Sequence, residues 1–390
     1  MRENQKKNFS GPDFRDIEET LTGLRSAIEH ERSVCEKVRS YNKMITLLLN
    51  YGSSDFIKAN IPEFSRDFIL TVENYPVSGS DIRISSEFLD NALKLTEFLP
   101  HADNVRLRQV INKKLSLLQN IRSLTSGTGN NLNPGKKELY FPVIEQRDNI
   151  PVCSFLETIT LRIIKSDKPA AFLIFPANNA AVNELKSQVE KAFNTARKLA
   201  LEGRKYDNNR YEVIVTFNNS RADYVGDSFG LLLTLQFYLE LCRISYPAIN
   251  LTPAVNMSLT GGIDEEGRVI KIGKDLIKLK LEAAAFSDSE FIIIPREDHR
   301  ELGFREIYSP GGYPERELKI IGVTGVEEII NRRDLIVIEK KPAVRRILEA
   351  SVRHSRTFLL SVILVLLTVI FLSFRSDHNP AEVSFKNNVA

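Results

Sequence analysis

Histidine is scarce in this 390-residue chain, limited to His30, His101, His299, His354 and His378. A mechanism that needs an imidazole base therefore has few candidates. Cysteine is scarcer still. Cys35, Cys153 and Cys242 are odd in number, widely spaced and set among apolar neighbours. They read as reduced core residues, with neither zinc-ligand spacing nor a disulfide framework. Net charge is only +3, and no basic run carries interleaved aromatics, so no nucleic-acid partner is expected. The polar stretch Met1–Pro12 lacks the apolar core of a signal peptide.

A nucleotide-binding loop is missing as well. Ser126–Gly135 is rich in glycine, asparagine and proline, and Lys136 follows it. Gly129 and Gly135 are separated by five residues where a Walker A loop has four, and Lys137 stands where Ser or Thr would bind magnesium. The segment reads as a linker over 126–137, and no cofactor or metal is expected.

The chain is long enough for two or three domains, and its apolar and charged fractions are those of a folded protein. Phe14, Ile17, Leu21, Leu24, Ile28, Cys35 and Val38 recur at three- and four-residue steps, the stripe of a long helix. Residues 1–125 are expected to be a helical domain, the stripe being a bundle core in preference to a dimerising coiled coil. Residues 138–340 alternate instead. Strands are expected at Glu138–Val143, Leu156–Ile164, Ala170–Phe175, Tyr211–Phe217, Val255–Thr260 and Phe291–Ile294. Helices are expected at Asn183–Leu201, Phe229–Cys242 and Asp275–Ala285, and a helix and strand over Val326–Ile338. This is an α/β (α+β) pattern.

Thr357–Phe374 is a run of eighteen residues without a charge, about 27 Å at helical rise. Lys340, Lys341, Arg345, Arg346, Arg353 and Arg356 precede it, against Arg375 and Lys386 beyond it. The expectation is a transmembrane helix at 357–374 in contact with membrane lipid. The short tail 375–390 would lie across the membrane, and residues 1–350 on the cytosolic side.

Chemistry concentrates at Gly226-Asp227-Ser228-Phe229-Gly230, ahead of an apolar helix. Glycines permit a sharp turn and close approach of a substrate carbonyl, and a helix mouth offers N–H groups to an oxyanion. The five-residue form also matches the nucleophile elbow of α/β-hydrolases. That elbow follows directly on a strand, whereas Asn218–Val225 intervene here, and the downstream histidines are only His299, His354 and His378. A non-catalytic alternative makes Ser228 a helix cap.

Thr260-Gly261 follows, then Gly267-Arg268-Val269, Ile272-Gly273, a lysine-bearing helix with Glu282-Ala283-Ala284, and Ile292-Ile293-Ile294-Pro295. In motif and order, residues 181–338 resemble the proteolytic domain of Lon-type proteases, in which a serine nucleophile is served by a lysine base. The family has Pro and Ala where this chain has Asp227 and Phe229. Phe229 is expected to narrow the site, and Asp227 to oppose serine ionisation unless it points away.

Counting forward from Ile272-Gly273 places the family's lysine at Lys278, and counting back from Pro295 places it at Lys280. Two helical residues are about 200° apart and face opposite sides. Lys278 neighbours Lys274, Asp275 and Glu282, whereas Lys280 neighbours Leu276, Ile277, Ala283 and Ala284. A general base must be neutral, which burial favours, so Lys280 is chosen. The non-catalytic reading of either lysine is a snorkelling surface residue.

The resemblance implies a serine endopeptidase with a Ser228–Lys280 dyad, Thr260 in support, and Gly226, Asp227, Phe229 and Gly230 shaping the turn and oxyanion site. It would be ATP-independent in this chain, would act on unfolded or membrane-proximal proteins, and would be a possible homo-oligomer. The alternative is an inactive Lon-like scaffold that recruits partners.

Overall fold

A computed structural model describes residues 14–31, 33–128, 137–147, 150–175, 182–201, 210–217, 224, 226–246, 248–303, 306–340, 342 and 363–372. Most of the linker, 129–136, lies outside them, as does the tail 375–390.

Six helices come first: α1 (Phe14–His30), α2 (Val34–Tyr51), α3 (Ser54–Asn60), α4 (Ser65–Asn74), α5 (Ile82–Leu95) and α6 (His101–Thr125). Local chemistry sets their starts. Ser33 and Ser53 accept from Glu36 N–H and Phe56 N–H, and Asp81 accepts from Arg83 and Ile84 N–H, each satisfying helix donors that would otherwise be orphaned. The apolar stripe is split between α1 and α2, with Ile17, Leu21, Ile28 and Val38 buried in one intramolecular core. Tyr41, Phe68 and Phe88 fill its centre. Phe68 meets Tyr41 edge-on at 5.4 Å and Phe88 at 6.3 Å between ring centroids. Burying each such ring contributes about 1.5–3 kcal/mol.

The second part opens with β1 (Leu139–Arg147), β2 (Ile150–Glu157), β3 (Ile159–Ser166) and β4 (Ala171–Phe175), then α7 (Val182–Ala200), β5 (Arg210–Phe217) and α8 (Gly230–Ser245). It continues with β6 (Ile249–Pro253), β7 (Met257–Leu259), β8 (Gly262–Ile263), β9 (Val269–Ile270), α9 (Lys274–Ala285), β10 (Phe291–Pro295) and α10 (Arg296–Glu301). It closes with β11 (Ile307–Tyr308), β12 (Leu318–Val323), α11 (Glu327–Ile330) and β13 (Ile336–Lys340). A six-stranded sheet has the order β11-β12-β10-β7-β1-β2, parallel through its middle and antiparallel at both ends. All five residues of β10 are buried, as expected for a central parallel strand covered on both faces. A separate sheet, β3-β5-β4, carries β5, whose Tyr211, Val213, Val215 and Phe217 alternate into the core.

Leu156–Ile164, expected as one strand, is two. β2 pairs with β1, β3 pairs with β5, and the chain changes sheet at Thr158. The segment has no glycine or proline to mark the break.

Two expectations are corrected. The sulfurs of Cys35 and Cys153 are joined as a disulfide across 118 residues, and only Cys242 is a free, buried thiol. Folding brings the start of α2 against β2, a juxtaposition invisible in the spacing. The transmembrane helix at 357–374 is also overturned. Among the described residues no helix is long and apolar enough to cross a membrane. The described part of that run is a helix over 363–372, and 357–362 and 373–374 lie outside the described residues. The C-terminal anchor, the membrane-lipid partner and the cytosolic placement of residues 1–350 go with it.

Candidate active site

Ser228 lies in the turn that leads into α8, held from both sides. Gly226 adopts φ +82° with open space around its Cα. The backbone conformation, not crowding, therefore calls for glycine at that position. Asp227 O accepts from Gly230 N–H at 2.9 Å, closing the turn, and Ser228 O accepts from Gly261 N–H at 2.7 Å. Leu231 N–H returns a bond to Gly261 O at 2.8 Å. The turn is thus tied to the segment after β7. Phe229 occupies the cap position of α8 without a side-chain cap bond, so Ser228 does not serve the helix as its cap.

Lys280 reaches this serine from α9. Its side chain is 4 % exposed, and Nζ donates to Ser228 Oγ at 2.7 Å and to Thr260 Oγ1 at 2.9 Å. Fully buried Thr260 donates its own hydroxyl to Ser228 O at 3.3 Å, which turns its lone pairs toward the amine. Burial lowers the Lys280 pKa to about 7, against the pull of the Asp227 and Asp298 carboxylates, which favour the cation. Lys278 is exposed on the other side of α9 and is not brought to the serine.

The two departures at the serine have definite places. Phe229 is 3 % exposed and turns into an aromatic cluster, edge-on to Phe217 at 5.6 Å and 6.5 Å from Phe141. It supports the turn from beneath, in place of the expected crowding. The Asp227 carboxyl lies over the Cα of Gly262, within 3.5 Å of Gln188 Nε2. Gly230 admits α8 close to β8, since a Cβ there would sit 2.9 Å from Ile263 N.

No family model matches the chain, and no curated protein matches it either.

Two contributors are not apparent in the sequence. Asp298, fully buried at the start of α10, accepts from Ile272 N–H at 2.8 Å and Gly273 N–H at 3.0 Å. It thereby fixes the entry into the lysine helix. Glu157, 4 % exposed at the end of β2, accepts from the Tyr224 hydroxyl. Burial raises its pKa to about 7. Tyr224 stacks on Phe217 at 4.3 Å, within the cluster that holds Phe229. The acid three residues after Pro295 was the only local hint of Asp298. Nothing local pairs Glu157 with Tyr224.

His299 packs over Gly322 in β12, where a Cβ would meet its ring atoms at 2.9 Å. His354 and His378 lie outside the described residues. The donor atoms of Cys35, Glu145 and Cys153 come within 4.8 Å of one another. With the two sulfurs joined to each other, they do not present a ligand set for a metal.

Proposed function

We propose that the chain is a Lon-like serine endopeptidase in which Ser228 is the nucleophile and Lys280 its general base. The observation that carries this reading is the 2.7 Å contact between the buried Lys280 Nζ and the half-buried Ser228 Oγ. An amine that titrates near 7 is about half neutral at neutral pH, so its lone pair can take the serine proton. Thr260 orients the amine. Ser228 Oγ attacks the peptide carbonyl, and N–H groups at the turn hold the oxyanion. Lys280 then passes its proton to the leaving amine. Water hydrolyses the acyl-enzyme, with Lys280 taking up the proton of the attacking water and Ser228 recovering its own.

The sequence carries no Walker motif, so the chain is proposed to take unfolded protein without ATP. Assembly into a homo-oligomer belongs to the same proposal and rests on the resemblance alone.

The test is cleavage of an unfolded protein by the full chain beside Ser228→Ala, Lys280→Ala and Lys278→Ala variants. Turnover lost in the first two and kept in the third is expected. An unmutated chain that cleaves nothing between pH 6 and 10 refutes the peptidase and leaves the scaffold reading.

A further inference from the structure

Among the described residues, two seams between the helical part and the second part lead to the dyad. At the first, Glu145 of β1 accepts from Val34 N–H at 2.8 Å and from Ser33 Oγ at 2.6 Å. These bonds cap the start of α2. Arg147 pairs with Glu31 at 2.7 Å, and the Cys35–Cys153 disulfide ties α2 to β2. At the second seam, Leu156 N–H of β2 donates to Ser78 O, and Gly79 N–H donates to Phe286 O, each at 2.8 Å. Gly79 has φ +83°, and a Cβ there would lie 2.9 Å from Ala283 O and 3.0 Å from Phe155 Cα. The segment around Gly79 is therefore wedged between β2 and the C-terminal end of α9, the helix that carries Lys280. The far end of β2 is Glu157, which grips Tyr224 beneath the Ser228 turn.

The chemistry at the first seam is that of an exchangeable pair. Cys153 is half-buried, and Cys35 sits one residue inside the N-terminus of α2. Cys35 is buried, so an incoming thiolate reaches the half-buried Cys153, with Cys35 as the leaving group. Glu145 accepts at the start of α2, and its Oε2 lies 3.2 Å from Cys153 Sγ. While the sulfurs are joined they carry no charge. Reduction removes the covalent tie between α2 and β2 and leaves the seam to the Glu145 and Arg147 contacts alone.

We propose that Cys35 and Cys153 form a reversible thiol–disulfide site. It takes a dithiol as its reaction partner and, by clamping the helical part onto β2, sustains turnover at Ser228. One thiolate of the dithiol attacks Cys153 Sγ and displaces the Cys35 thiolate. The second thiolate then attacks the mixed disulfide and releases the Cys153 thiolate. The dithiol leaves as a disulfide, having given up two electrons, and water protonates the thiolates according to pH. The turnover clause rests on the peptidase reading above, whereas the clamp itself does not.

The test compares the full chain after air oxidation and after dithiothreitol treatment. Maleimide labelling under denaturation is expected to count the Cys242 thiol alone in the oxidised protein, and all three thiols in the reduced one. Reduction is expected to speed amide exchange across β1 and β2 about tenfold. Turnover of an unfolded substrate should fall at least about threefold and return on reoxidation. Cys242→Ser should respond like the unmutated chain. Cys153→Ser should behave as reduced and ignore dithiothreitol.

Three free thiols after oxidation overturn the proposal, as do exchange and turnover that reduction leaves unchanged. If neither redox form cleaves substrate, the peptidase reading and the turnover clause fall together, and thiol count with amide exchange still decides the clamp.

Discussion

Replacing Lys280 by methionine separates the energetic cost of burying an amine from the chemistry proposed for it. Burial takes its pKa from 10.5 to about 7, which corresponds to ~5 kcal/mol between the two protonation states. The sign follows from proton counting. Between pH 7 and 10.5 the unfolded chain holds a proton on Lys280 that the folded chain has given up, so this group makes stability rise with pH. Below pH 7 the full cost is present, and above 10.5 it is gone.

Methionine fills similar space without a charge, but leaves Ser228 Oγ and Thr260 Oγ1 short of a donor, a loss of ~1–3 kcal/mol. Lys280→Met is therefore expected to be more stable than the unmutated chain by about 2–4 kcal/mol at pH 6. The advantage should vanish, or reverse, by pH 10. Urea unfolding at pH 6, 7.5, 9 and 10 reads this difference directly. Glu157 titrates alike in both proteins and cancels. Parallel stability curves from pH 6 to 10 would refute the reasoning, because they would mean that the amine keeps its ordinary protonation on folding.

Three further outcomes are expected. Asp298→Asn removes a carboxylate that favours the Lys280 cation, and turns an amide NH₂ toward one backbone N–H of Ile272 or Gly273. The pH midpoint of turnover should fall below that of the unmutated chain, with ~1–3 kcal/mol of stability lost in urea; an unmoved midpoint contradicts the electrostatic role. Glu157→Gln removes a buried acid whose pKa is raised from 4.5 to about 7. That acid contributes stability that is full below pH 4.5 and lost as pH rises through 7, so the variant should lack this fall in pH-dependent melting. Phe229→Ala empties the centre of the aromatic cluster and should cost about 3–5 kcal/mol by chemical denaturation. Destabilisation under 1 kcal/mol would mean that the ring does not support the turn.

What could be read from the chain divides by distance along it. The burial of Lys280 is legible locally, because Ile277, Ala283 and Ala284 surround it at helical spacing while Lys278 falls among Asp275 and Glu282. The strands β5 and β10 were legible as strands, the first from its alternation and the second from its apolar run, but the sheet order was not. Contacts made by the fold were not accessible. Asp298 meets the loop before α9 across about 25 residues, Glu157 meets Tyr224 across 67, and Cys35 meets Cys153 across 118. Phe229 was misread for the same reason. A bulky ring beside a nucleophile looks obstructive until Phe141 and Phe217, from two other strands, are placed beneath it. The apolar run at 357–374 was judged by composition and length alone, and a helix at 363–372 is what the described residues contain.

The central claim is that Lys280 activates Ser228, and covalent labelling tests it most directly. The full chain would be treated with a fluorophosphonate at pH values from 5.5 to 9, and the adduct mapped by mass. The account predicts a single adduct on Ser228, forming about tenfold faster per pH unit up to pH 7 and levelling above it. Labelling should be abolished in Lys280→Met and retained in Lys278→Ala. An unlabelled Ser228, or one that Lys280→Met labels at the unmutated rate, would contradict it.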